Sequence, residues 1–136
     1  METMTIAWIK GVQLAVEARG HRLLVDQPAE EGGDDRGMTP IELLVASLGA
    51  CIGYFAVRFC QRHRLPTDGL RVAMGWDYAE QPHRVGSITA NVSLPVELEP
   101  AVRERLQHVL EGCTVHKTLE ITPKISVHIN SGRAQG

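Results

Sequence analysis

Residues 39–64 read TPIELLVASLGACIGYFAVRFCQRHR. Thr39 is a good N-cap, Pro40 fits the first helical position, and Glu42 completes a Thr-x-x-Glu capping box. The pattern predicts a helix that runs to about Arg64, with Pro66 marking the stop. Its fifteen residues from Leu43 to Val57 carry no charge, and Glu42 and Arg58 bracket them. That is short of the ~20 residues of a membrane span, so the expectation is a buried helix in a soluble protein, with no membrane partner. Leu43, Leu44, Val45, Leu48, Ile52, Phe55, Val57 and Phe59 cover every side of this helix. A helix that is apolar all round must be buried all round. A 136-residue chain has limited means to do this alone. Ala46, Gly49, Ala50 and Gly53 set small residues at spacings of three and four, which let another backbone come close. The helix is therefore expected to pack between a sheet and a second copy of itself, in an obligate homodimer.

Upstream, short alternating runs suggest an antiparallel meander. Met4, Ile6 and Trp8 share one face of residues 3–9, and Val12, Leu14 and Val16 share one face of 12–18. A third run covers 21–26, and Lys10-Gly11 and Arg19-Gly20 punctuate the three. Residues 27–38, QPAEEGGDDRGM, are polar and glycine-rich, which predicts a loop able to serve as a mobile lid or a partner contact. Downstream, Leu70, Val72, Met74, Trp76 and Tyr78 alternate as a strand, and so does the run from Val85 to Leu94. A second helix is expected from Pro100 to just before Gly112, and a short one from Cys113 to Leu119. Ile125, Val127 and Ile129 place a final strand over 121–129, followed by a frayed tail, SGRAQG. Nothing divides the chain, so one domain over 1–136 is expected.

Composition narrows the function classes. Hydrophobic residues make up 43% and charged residues 22%, as in a globular domain. A net charge of −2 offers no basic excess for nucleic acid. The N-terminus lacks a basic-then-apolar leader, which points to the cytoplasm. Three cysteines, Cys51, Cys60 and Cys113, are too few and too widely spaced for a disulfide framework in a reducing compartment. Neither they nor the six histidines show metal-ligand spacing, so no metal or cofactor is expected. No serine–histidine–aspartate set, phosphate loop or GxGxxG pattern is present.

The cysteines carry the remaining chemistry. Cys51 lies mid-helix with Gly49 and Gly53 two residues to either side. Each glycine costs roughly 1 kcal/mol against alanine there, so something must approach closely. A buried structural thiol is the plain alternative. Cys113 follows Gly112 and opens the short helix, where a thiol gains thiolate character, with His116 and Lys117 one turn on. Cys60 is nine residues from Cys51, on the opposite side of the helix, and is expected in the core. Glu42 has its capping role. Any catalytic role for it needs a kink or the Cys51 of a second copy.

The blocks Gly32-Gly33, Gly37-Met38-Thr39-Pro40-Ile41-Glu42-Leu43-Leu44, Ala46-Ser47-Leu48-Gly49-Ala50-Cys51 and Cys113-Thr114-Val115 resemble the OsmC/Ohr superfamily. The resemblance covers almost the whole chain. It implies an OsmC/Ohr-like α+β fold, with antiparallel sheets wrapping two central helices in an intertwined homodimer and active sites at the interface. It implies peroxidase chemistry on hydroperoxides, with Cys51 as the attacking thiol, Cys113 as the resolving one, and a dithiol reductant of lipoyl type. The chain departs from the organic-hydroperoxide branch at three points. Ile41 occupies the place of the family glutamate, and Glu42 stands one later. No arginine matches the activating one, leaving Arg22 and Arg19 as the first candidates and Arg36 as a third. Thr114 replaces a proline. The alternatives to a peroxidase are a redox-sensing or small-ligand-binding dimer, and a dimer whose cysteines are inert.

Overall fold

The computed structural model describes residues 1–132, so most of the expected C-terminal tail lies outside the described residues. The meander forms as expected. Strands β1 (Thr5–Lys10), β2 (Gln13–Ala18) and β3 (His21–Val25) make an antiparallel sheet in that order. Register places Ile6 opposite Val16, Trp8 opposite Leu14, and Leu14 opposite Val25. One face of the sheet is therefore a continuous apolar surface. It is largely uncovered, with Trp8 70% exposed.

Helix α1 spans Pro40–Arg62, two residues short of its expected end, and Arg64 beyond it takes a positive φ of 53°. Both halves of the capping box are present. The Glu42 N–H donates to Thr39 Oγ1 at 3.2 Å, and the Thr39 N–H donates to Glu42 Oε1 at 2.8 Å. By length and composition alone α1 could cross a membrane. One side of it is instead packed on protein. Leu48, Ile52, Ala56 and Phe59 form the core with Leu106 and Leu110 of α2 (Pro100–Glu111) and with Cys113. A hairpin of β4 (Arg71–Ala79) and β5 (Arg84–Ser93) covers another part of α1 with Val72, Met74, Ile88, Ala90 and Val92.

The expectation that α1 is buried on all sides, part of it by a second copy, is met within one chain only in part. Ala46, Ser47, Ala50 and Tyr54 are exposed. The role assigned to the small residues also changes. Gly49 faces Met74 of β4, and Gly53 faces Val72, so within one chain these two glycines admit the sheet. A Cβ on Gly49 would sit 2.9 Å from Met74 Cγ, whereas one on Gly53 would meet Val72 at an ordinary 3.6 Å. Gly49→Leu is thus expected to cost about 1–3 kcal/mol by overpacking. Gly53→Ala should be nearly silent or slightly stabilising, because alanine is the better helix former. Denaturant midpoints of the two variants check the contrast, and equal midpoints would refute it.

Two further expectations are corrected. Residues 27–38 are not a loose lid. Asp26 is buried, and its carboxylate accepts the N–H groups of Gln27 at 2.8 Å, Asp34 at 3.2 Å and Arg36 at 3.0 Å. A short 3₁₀ turn, Ala29–Glu31, sits within the loop, and Val25 bridges to Met38 at its end. Residues 121–129 form neither helix nor strand and pair with no strand among the described residues. Ile125, Val127 and Ile129 are 80–89% exposed. The alternation is that of a strand, but this chain's own sheets offer it no pairing.

Candidate active site

Cys51 sits halfway along α1, on the margin between its buried and exposed sides, and is half-buried. Cys113 lies between α2 and α3 (Thr114–Glu120) and is fully buried. Cys51 packs against the core cluster that holds Cys113, and the two thiols are neighbours although 62 positions separate them in the chain. Packing explains the meeting. Leu106 and Leu110 anchor α2 on α1 through the core, so the residue just past the end of α2 is delivered against the middle of α1.

Cys113 is the N-cap of α3, and its Sγ accepts the His116 N–H at 3.4 Å. That bond was not anticipated. Its sequence signal is the three-residue spacing of a cap, with sulfur in the place of the usual oxygen. The expected thiolate character of Cys113 is corrected. Burial pushes this thiol up from its ordinary value of 9.0, and the neighbouring Cys51 pushes it the same way. The N–H groups of His116 and Val115 pull it down without prevailing. Nor do the following basic side chains turn toward the sulfur. Lys117 Nζ lies 3.3 Å from Glu120, and His116 Nε2 lies 3.7 Å from the same carboxylate. Cys60 is fully buried as expected, and burial raises its pKa too.

The other candidate residues lie elsewhere within one chain. Glu42 is committed to the cap of α1. Arg22 pairs with Glu17, its cross-strand neighbour, at 3.4 Å on an exposed part of the N-terminal sheet. Arg19 turns the chain from β2 to β3 with a φ of 51°. Arg36 donates its backbone N–H to Asp26. Among the described residues, no hydrogen bond or ion pair joins any of the three to either sulfur. An arginine the sequence reading passed over, Arg58, shares the strip of α1 that carries Cys51. It stands seven residues on, and its guanidinium donates to Gln61 at 3.1 Å. Among the described residues no cluster of histidine, cysteine or carboxylate side chains could hold a metal ion.

Several known proteins share this architecture. An osmotic stress induced and detoxification response protein from Psychrobacter arcticus superposes with a TM-score of 0.79 at 18% identity, covering 87% of this chain and 88% of that one. An OsmC-like protein from Mycoplasma pneumoniae gives 0.72 at 16% identity, over 90% and 89% of the two chains. An organic hydroperoxide resistance protein OsmC from Legionella pneumophila gives 0.63 at 18% identity, over 88% and 90%. At these identities the likeness establishes the fold, an α+β arrangement of antiparallel sheets and helices. No curated protein matches the chain in sequence. The family model for the OsmC-like protein matches residues 32–128, which include the second part of the loop on Asp26, both thiols and all three helices, and the chain belongs to the OsmC-like family.

Proposed function

We propose that this protein is a two-cysteine peroxidase that reduces hydroperoxides in a reducing, cytoplasmic setting. The observation that carries the reading is the meeting of Cys51 and Cys113. Cys51 is the more accessible of the two and suits the attacking role. Its thiolate attacks an oxygen of the hydroperoxide. The O–O bond breaks, the alkoxide leaves and takes up a proton as an alcohol, and Cys51 becomes a sulfenic acid. Cys113 then attacks that sulfur. An S–S bond forms, and hydroxide departs as water with the Cys113 proton. A small or lipoyl-type dithiol reduces the disulfide and is itself oxidised to one. Burial suits Cys113 to the second step, since it keeps the thiol protonated until a sulfenic acid stands beside it.

A homodimer belongs to the proposal. The apolar face of β1–β3, the exposed side of α1 and the unpaired segment 121–129 are all uncovered in one chain. Large contiguous apolar surface of this kind marks an interaction site. A second copy would also be able to bring a cation beside Cys51, for which Arg22 and Arg19 are the candidates. Free-thiol titration before and after one equivalent of an organic hydroperoxide tests the chemistry. The expected result is loss of two thiols per chain, with Cys60 still free. Loss of a single thiol would indicate a sensor, and no loss would indicate inert cysteines. Sedimentation at micromolar concentration tests the dimer, and a clean monomer would refute it.

A further inference from the structure

The seam between α1 and α2 opens into a groove that neither Cys51 nor Cys113 lines. Its volume is about 890 Å³, within the ~300–1,000 Å³ of small-molecule sites. Cys113, at the end of α2, lies against Cys51, and both helices continue away from that point along the groove. The two helices therefore run antiparallel along it. Phe55, Phe59 and Val109 supply an apolar floor, with Phe59 buried. Arg58 and Arg62 of α1 and Arg105 of α2 supply the rim. Phe55, Arg58 and Arg62 follow Cys51 at four, seven and eleven residues, so all lie on one strip of α1.

The charge of this rim runs against the rest of the molecule, whose net charge is −2. Its facing groups are three guanidinium groups, one carboxylate (Glu104) and two imidazoles. His63 is already engaged, stacked on Phe59 at 4.0 Å with Nδ1 2.9 Å from the Phe59 carbonyl, while His108 lines the other wall. None of the three arginines forms an ion pair among the described residues, and Arg58 reaches only the neutral Gln61. Three guanidinium groups without a carboxylate partner, above an aromatic and aliphatic floor, are complementary to an anionic head with a hydrocarbon tail. A carboxylate matches the planar fork of arginine. The length of α1 from Phe55 to Arg62, about 10 Å, leaves room for a tail beyond the head.

We propose that this groove binds a long-chain carboxylate, as a ligand site separate from the thiol pair. The site does not rest on the peroxidase reading. Calorimetric titration of dodecanoate into the protein with its thiols alkylated keeps the two apart. The expected result is saturable binding of one dodecanoate per chain. Arg62→Glu combined with Arg105→Glu should weaken it roughly tenfold or more, since each removes a charge-assisted contact. Dodecanol, with the same tail and no charge, should bind at least as much more weakly. Val109→Trp fills the floor and should block binding while circular dichroism stays unchanged, which keeps the test valid if the arginine variants misfold. Absent or unsaturable binding overturns the proposal, and so does equal affinity for dodecanol. If the arginine variants change the oligomeric state instead of the affinity, the groove is a contact between copies, and the proposal fails.

Discussion

Cys51→Ser is expected to abolish hydroperoxide consumption, with a residual rate indistinguishable from the uncatalysed one. A hydroxyl cannot supply a thiolate nucleophile at neutral pH. The change is nearly isosteric at a half-buried position, so folding should persist and the loss should be chemical. Cys113→Ser should behave differently. Its Sγ is out of solvent and beside Cys51, so its loss removes the resolving partner and leaves the attacking thiol in place. One equivalent of peroxide should be consumed per chain, after which Cys51 accumulates as sulfenic and then sulfinic acid. Cys60→Ser should keep full turnover. Mass spectrometry of each variant after peroxide reads the outcome directly. Full activity in Cys51→Ser, or a disulfide linking Cys51 to Cys60, would remove the assignment.

The second large effect is expected at Gly33, in the loop on Asp26. A Cβ there would lie 1.9 Å from the Gln27 carbonyl oxygen and 2.8 Å from Asp26 Oδ1. The nearer obstacle is backbone and cannot rotate away. Gly33→Ala should therefore sit at or above the top of the ~1–3 kcal/mol typical of overpacking. It should also disturb the three N–H groups gathered on Asp26. Burial alone would raise the Asp26 pKa, but the N–H groups of Arg36, Gln27 and Asp34 and the Gln13 amide outweigh it and hold the pKa below the ordinary 3.8. A lowered native pKa stabilises the fold above the unfolded value and loses that contribution as pH falls through the native one. The wild-type protein should thus lose stability below about pH 4 in part through Asp26. Asp26→Asn should start less stable at neutral pH and show a shallower acid slope. Thermal unfolding across pH 2–7 measures both, and identical slopes would refute the account.

These two sites mark where local sequence signals carry the fold and where they stop. The capping box at Thr39 and Glu42, Pro100 at the head of α2 and the alternation of Val72 through Tyr78 are all local, and each element forms where they place it. The meeting of Cys51 and Cys113 was legible only through family resemblance, because it depends on how α2 packs. The misplaced expectations share one cause, which is reliance on partners that the linear pattern does not name. Residues 121–129 alternate as a strand should, but pairing is a property of two segments. Gly49 announces a close approach without saying that Met74 makes it. The start of α3 is visible at Cys113, whereas the burial that outweighs the helix end is not. Asp26 is one acid among sixteen charged carboxylates until the backbone folds round it. The arginine groove draws on two helices about forty residues apart, and neither helix alone suggests it.

A disulfide at Cys113 would tie the redox state of the chain to the order of a helix. In the reduced protein its sulfur holds the His116 N–H and so helps close the first turn of α3. A disulfide to Cys51 would turn that sulfur toward α1 and weaken it as an acceptor, leaving the first turn of α3 to find water or open. The seven residues of α3 are too few to persist on helix propensity alone. Reduction and helix formation would then be linked equilibria. Whatever steadies α3 would favour the dithiol, and each oxidation would loosen the segment just before residues 121–129.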